Sequence, residues 1–379
     1  MSFSRIRYQP SAVRMLRAAV AGDRVPHAYL FVGPRGVGKG LAARELTKLL
    51  FCESPVRTGE PDPCDTCDSC RRVDRDVHPD LHWFRKEADH NDFRLHVVAR
   101  RNDSPDAVVT ESVMLTPMEA PFTVTVLDDA ELLNVAAANA LLKTLEEPSP
   151  HAVLILLCSD ASRLPGTILS RCQWVRFGPL PEAFVAEKVR EVLAARAPDD
   201  ADQGRRGEQA EPVSPDEIAF VCRFAGGSIE GAASLAGSGL WDLKRQLVAR
   251  LPDINAAAAL VMAEAIEEWG SRLARGRHLK PRSAEANAVR RQSARLGLAA
   301  VASAFGDAAL LAAGGGAGGR LVNADQREQI EALAAWPAET GARAVGLLAD
   351  GQTEIGRYVH TELAVENALI QVSRLRPSM

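Results

Sequence analysis

Excess charge is nearly missing from this sequence. Its 45 Lys and Arg stand against 49 Asp and Glu, leaving −4 over 379 residues. A chain held to nucleic acid mainly by its overall field is strongly basic, so any DNA contact here has to be local or shared with partners. Aromatic residues are scarce, at 5%. Basic pairs such as Arg71-Arg72 and Arg100-Arg101 have no aromatic residues interleaved, which counts against a stacking platform for single strands. Long apolar runs are also lacking. The start, MSFSRIRYQPSAVRML, has no apolar core of signal-peptide length. Leu296 to Ala313 comes closest to a membrane span, but it is Ala-rich and carries Gly306 and Asp307. It reads as a buried helix pair, and the chain as cytoplasmic with no membrane contact.

What is present is globular. Hydrophobic residues make up 46% and charged residues 25%, enough to bury a core. The length corresponds to about 2.5 average domains. The first 180 residues alternate between strand and helix patterns. Ala28 to Val32 and Val153 to Cys158 are apolar runs, Thr123 to Leu127 is β-branched, and Trp174 to Phe177 is a further short strand. Leu41 to Leu50 and Leu132 to Leu145 carry helical periodicity. This alternation predicts an α/β fold with a doubly wound parallel sheet. After Gly178-Pro179-Leu180-Pro181 the pattern is helical. The expected division is residues 1–178, a small helical domain over 179–240 with a mobile polar loop near 196–215, and a larger helical domain over 241–379. Gly314 to Gly319 reads as a flexible turn.

Gly33-Pro34-Arg35-Gly36-Val37-Gly38-Lys39-Gly40 fits G-x4-G-K between a predicted strand and a predicted helix. In that setting glycines let backbone N–H groups curl round phosphate oxygens, and Lys39 reaches the outer phosphates. The alternative is a ligand-free glycine turn. The motif ordinarily continues with Ser or Thr, whose hydroxyl ligates Mg²⁺. Gly40 offers none, so phosphate binding can survive while efficient hydrolysis is disfavoured. Asp128 and Asp129 close a predicted strand, where a P-loop protein places the Mg²⁺-holding Asp and a second, water-activating carboxylate. Asp128 suits the first role; Asp129 is a methylene shorter than the Glu usual in the second. Either could instead be a helix cap.

Seven cysteines, an odd number, argue against a disulfide scaffold. Cys52, Cys64, Cys67 and Cys70 offer four soft ligands suited to structural Zn²⁺. An iron–sulfur cluster also takes four cysteines, although its spacing ordinarily differs. His78 is a substitute ligand, and free thiols in a surface loop are the remaining reading. Cys158, Cys172 and Cys222 sit in apolar surroundings and read as core residues.

Taken together, these segments resemble the AAA+ subunits of the bacterial DNA polymerase III clamp loader. The likeness rests on His27-Ala28-Tyr29-Leu30-Phe31-Val32-Gly33-Pro34, the four-cysteine insert, and Asp128-Asp129-Ala130-Glu131. It also rests on Ala138-Asn139-Ala140-Leu141-Leu142-Lys143-Thr144-Leu145-Glu146-Glu147-Pro148 and on Ser170-Arg171-Cys172. It is firm over about residues 10–180; Asp89 to Pro121 departs from it. The resemblance implies an AAA+ P-loop domain, a helical lid and a helical collar joining a hetero-pentameric ring. It implies clamp-loader partners, with the sliding clamp and primer-template DNA met through the complex. It also implies that Arg171 points into a neighbour's ATP site. Gly40, Asp129 and Glu230 stand where motor subunits carry a hydroxyl, a Glu and a lid arginine. The resemblance therefore implies a stator rather than the motor subunit or another AAA+ ATPase, with ATP and Mg²⁺ at its own loop left open.

Overall fold

The structure is a computed structural model that describes residues 3–56, 59–85, 98, 108–202, 213–314, 321–356 and 360–377. The chain forms two compact units, Met1–Pro181 and Glu182–Met379.

The first unit contains the parallel sheet. Its strands are β1 (Ala28–Val32), β2 (Leu81–Phe84), β3 (Thr123–Leu127), β4 (Ala152–Cys158) and β5 (Gln173–Arg176), in spatial order β2-β3-β4-β1-β5. Every pairing is parallel, and β1 aligns Leu30 with Leu156 of β4 and Trp174 of β5. All seven residues of β4 are buried, as its unbroken apolar run requires of a strand covered on both faces. The helices are α1 (Pro10–Ala21), α2 (Lys39–Phe51), α3 (Asp68–Asp74), α4 (Val109–Met114), α5 (Val135–Glu146) and the single turn α6 (Gly166–Leu169).

Side-chain alternation sorts the core. Leu30, Leu154 and Leu156 face α4 and α5, meeting Val109, Val113, Leu141 and Leu145. Tyr29 and Phe31 face the other side, where Phe31 packs on Phe177 with ring centres 5.3 Å apart. Connections leave β1 and β4 toward opposite ends of the sheet. The crevice at the carboxyl ends of these two strands is therefore the switch point, where open α/β sheets bind ligands.

The second unit is helical throughout its described residues. It comprises α7 (Glu182–Asp202), α8 (Pro215–Phe224), α9 (Ile229–Leu235), α10 (Leu240–Arg250), α11 (Ala256–Gly276), α12 (Ala284–Ala312), α13 (Arg327–Ala334), α14 (Ala338–Gly356) and α15 (Thr361–Ser373). Lys244 is wholly buried here. Its ammonium pairs with Asp325 at 2.5 Å and lies over Trp241 and Phe220, so the charge is compensated rather than stranded.

The structure departs from the sequence expectations in three places. The anticipated loop from 196 is helical as far as Asp202, because the run Val192-Leu193-Ala194-Ala195-Arg196-Ala197 keeps helix propensity high after the apolar pattern fades. Residues 203–212 and 315–320 lie outside the described residues, as does most of 89–107. The predicted helix pair at Leu296–Ala313 is instead one continuous helix, α12. Gly297 does not break it. A Cβ there would come within 2.7 Å of Ile266 on α11, so this glycine permits close packing. By length and composition α12 could cross a membrane, yet half of its most apolar window is buried. Lastly, β2 and α4 escape the periodicity argument because each is too short to show a period.

Gly33 marks the end of β1, and a Cβ on it would lie 2.3 Å from the Phe177 carbonyl oxygen. Gly33→Ala is expected to lower stability by about 2–3 kcal/mol through overpacking against backbone. An unchanged denaturant midpoint would show that β5 yields freely.

Candidate functional site

The phosphate-type loop grows out of β1. Gly33 donates its N–H to the Cys158 carbonyl at 3.1 Å, which anchors the loop to β4. Gly38 has φ +101° and opens α2 in a left-handed conformation that side chains resist. Lys39 follows and is buried. Its ammonium donates to the carbonyls of Gly33 at 2.6 Å and Pro34 at 2.7 Å. Burial holds the Lys39 pKa below its ordinary value, and Glu131, Asp128 and Asp129 oppose that effect in that order. At Gly40 a Cβ would stand 3.7 Å from Trp83 and 3.9 Å from Leu157. Side-chain space therefore exists there, but the chain supplies no oxygen.

Three carboxylates line the neighbouring strand ends. Asp128 follows β3, and its side chain accepts the Asp129 N–H at 3.0 Å. Burial and the Asp129 charge push the Asp128 carboxyl above its ordinary range. Asp129 has φ +53° and is ion-paired with Arg35 of the loop at 2.7 Å. Neither acts as the helix cap that the sequence allowed: Asn134 caps α5 by accepting the Ala137 N–H. Glu131 was not singled out from sequence. It is 6% exposed and accepts both the Oγ of Ser159, at 2.6 Å, and its N–H, at 3.2 Å. Its only sequence signal is its place three residues after Asp128, and its link to Ser159 after β4 is tertiary. Lys39, Asp128, Glu131 and Ser159 thus gather at the switch-point crevice. For a Mg²⁺ ion held in the usual P-loop manner the set is one oxygen short, because Gly40 contributes none.

Arg171 stands elsewhere in the unit, two residues beyond α6. Its guanidinium donates to Glu146 Oε1 at 2.7 Å and to the Thr167 carbonyl at 3.0 Å. The side chain remains 36% exposed. Among the described residues it makes no bond to its own phosphate loop.

The four cysteines converge. The Sγ atoms of Cys52, Cys64, Cys67 and Cys70 lie within 4.8 Å of one another. Tetrahedral bonds of ~2.3 Å place sulfurs about 3.8 Å apart, so one soft metal ion fits this set after small side-chain adjustments. Backbone N–H groups of Cys64, Cys67 and Cys70 point at the sulfurs of Cys52, Cys64 and Cys67 at 3.3–3.4 Å. Burial raises the Cys52 and Cys70 thiols. It would raise Cys64 as well, but N–H donors from Thr66 and Cys67 outweigh it and bring that thiol down to about 6. His78 is not part of the group. Its Nδ1 accepts the Asp80 N–H at 3.2 Å, and its ring packs on Phe51. Cys158, Cys172 and Cys222 are buried core residues whose thiols are pushed up by burial, Cys222 to about 11 and the other two to about 12.

A buried cation pins this cysteine module to α2. Lys48, wholly buried, reaches Asp65 at 2.5 Å, Glu45 at 3.2 Å and Asp74 at 3.3 Å. Burial alone would lower its pKa, and the three carboxylates carry it above the ordinary value. Lys48→Met leaves Glu45 buried without this cation and is expected to cost about 3–5 kcal/mol. Chemical denaturation is the check, and a loss under about 1 kcal/mol would show that Arg5, 3.1 Å from Glu45, suffices.

The family model described as DNA polymerase III, delta subunit matches residues 8–181. The chain is 32% identical over 183 residues to DNA polymerase III subunit delta' of Bacillus subtilis, covering 48% of this chain and 51% of that protein. It is 34% identical over 222 residues to subunit delta' of Pseudomonas aeruginosa, covering 59% of each. To subunit tau of Escherichia coli it is 29% identical over 272 residues, covering 70% of this chain and 38% of that protein. The chain thus spans about half the length, or less, of the first two Bacillus and Escherichia relatives. Over residues 8–181 the chain is similar to the delta', gamma and tau subunits of DNA polymerase III.

Proposed function

We propose that this chain is a delta'-like stator of a DNA polymerase III clamp loader. In this reading it completes a hetero-pentameric ring with gamma/tau-like and delta-like subunits. It presents Arg171 to a neighbour's ATP, so that the ring can place the sliding clamp on primed DNA. Residues 179–240 serve as the lid and 241–379 as the collar. The observation that carries the reading is the state of the chain's own phosphate loop. Lys39 is spent on loop carbonyls, Asp129 is paired with Arg35, and Gly40 supplies no metal ligand. Glu230, in the first turn of α9, brings negative charge to the position where the resemblance places a lid arginine. The exposed guanidinium of Arg171 suits the other half of the role. Delivered in trans, it stabilises negative charge on the transferring phosphoryl group. The cysteine cluster is proposed to hold one structural Zn²⁺, since four thiolates form a closed shell without an open position.

A motor role is the second reading, favoured by the intact loop backbone and by the longer match to tau. ATP turnover separates the two. The isolated chain is expected to show negligible ATPase activity. The finger effect at one site is on the order of 10³-fold or more. Arg171→Ala in the assembled loader should therefore reduce turnover to what the remaining sites deliver. Robust hydrolysis by the isolated chain would refute the stator. Gly40→Thr, whose Cβ would meet only ordinary contacts, should raise Mg²⁺-dependent ATP affinity in equilibrium titrations.

About one zinc per chain should co-purify, and chelation should lower the melting temperature. Metal-free protein of unchanged stability would exclude the zinc assignment.

A further inference from the structure

We infer that Glu146 is a positioning residue for Arg171, an inference that rests on the finger role proposed above. Glu146 is the last residue of α5, where the macrodipole leaves negative potential and a carboxylate is electrostatically disfavoured. It is compensated there by Arg171, whose Nη2 lies 2.7 Å from Glu146 Oε1. The pair is 52% and 36% exposed at its two side chains, and pairs this open add little to folding. Its consequence is orientation.

A free arginine samples many rotamers, whereas this one is held at two corners. Glu146 takes one terminal nitrogen, and the Thr167 carbonyl, at 3.0 Å, takes the other. A guanidinium has five N–H donors, so donors remain for phosphate oxygens without breaking the Glu146 bond. The platform beneath is firm. Leu141 and Leu145 of α5 and Ile168 of α6 share one buried cluster. The far end of α5 is fixed by the Asn134 cap, just beyond the turn that carries Glu131. Twelve helical residues, about 18 Å of rod, therefore connect this chain's own strand-end carboxylates to the arginine it presents outward. Ordering the guanidinium before it meets a phosphate lowers the entropic cost of reaching the transition state.

The test uses the loader assembled from this chain, its partner subunits, the sliding clamp and primed DNA. Steady-state ATPase is measured for wild type, Arg171→Ala, Glu146→Ala, Glu146→Gln and the double Ala variant. Glu146→Ala is expected to remove roughly half or more of the turnover that Arg171→Ala removes, with KM for ATP within about twofold. Glu146→Gln, which keeps an acceptor oxygen, should recover part of that loss. The double variant should be no slower than Arg171→Ala alone, because the glutamate acts only through the arginine. The isolated Glu146→Ala chain should keep its melting temperature.

If Arg171→Ala slows the loader but Glu146→Ala leaves or raises kcat, the positioning role is overturned while the finger role stands. An equal Glu146→Ala loss in the Arg171→Ala background also overturns it, since the effect would then be independent of the arginine. If Arg171→Ala has no effect, the finger reading fails first and the positioning role with it.

Discussion

A Cβ on residue 33 would stand 2.3 Å from the Phe177 carbonyl oxygen, and much of the first unit follows from that lack of space. The chain leaves β1 as bare backbone, held by one bond to Cys158 of β4 and flanked by the end of β5. It can then turn at once into α2 through the left-handed Gly38. The three strands meet there because the sheet order sets β1 between β4 and β5. Lys39 after β1, Ser159 after β4 and the neighbouring Asp128 and Glu131 after β3 share a crevice because these three strands are adjacent in the sheet, although they come from three separate stretches of the chain.

Buried charge recurs, and each instance is compensated. Lys48 binds the cysteine module to α2 through three carboxylates. Lys244 lies over two aromatic rings and pairs with Asp325. Lys39 is satisfied by two carbonyls of its own loop. The third case differs in kind, because phosphates would compete for the same ammonium. Compensation from within makes the loop self-sufficient, as the stator role proposed above requires.

Much of the first unit was legible before any coordinates. The strands at 28–32, 123–127 and 152–158 announce themselves by apolar and β-branched runs, and a parallel sheet follows from the helices between them. The four cysteines were legible because a C-x2-C-x2-C spacing lets one backbone turn aim three sulfurs inward. Less was legible where signals are short or long-range. β2 is four residues with two aromatics and a histidine, too brief for a period. Glu131 sits in plain view beside Asp128, yet its importance depends on Ser159, 28 residues away. Leu296–Ala313 reads from its small residues as a buried helix pair, whereas it is part of one continuous helix. In a packed helix a glycine can be the contact that lets a neighbour approach.

Local chemistry was therefore set by the sequence itself. A glycine-rich strand-to-helix loop, the lack of a hydroxyl at residue 40 and four thiols at metal spacing all depend on residues close together in the chain. Their rules are those of backbone freedom and ligand identity. The tertiary structure decided which charges meet. It placed Arg35 on Asp129, Lys48 among Asp65, Glu45 and Asp74, and Glu146 on Arg171. Such pairings depend on how helices stack on a sheet whose order differs from the order of the chain, and no local pattern encodes that.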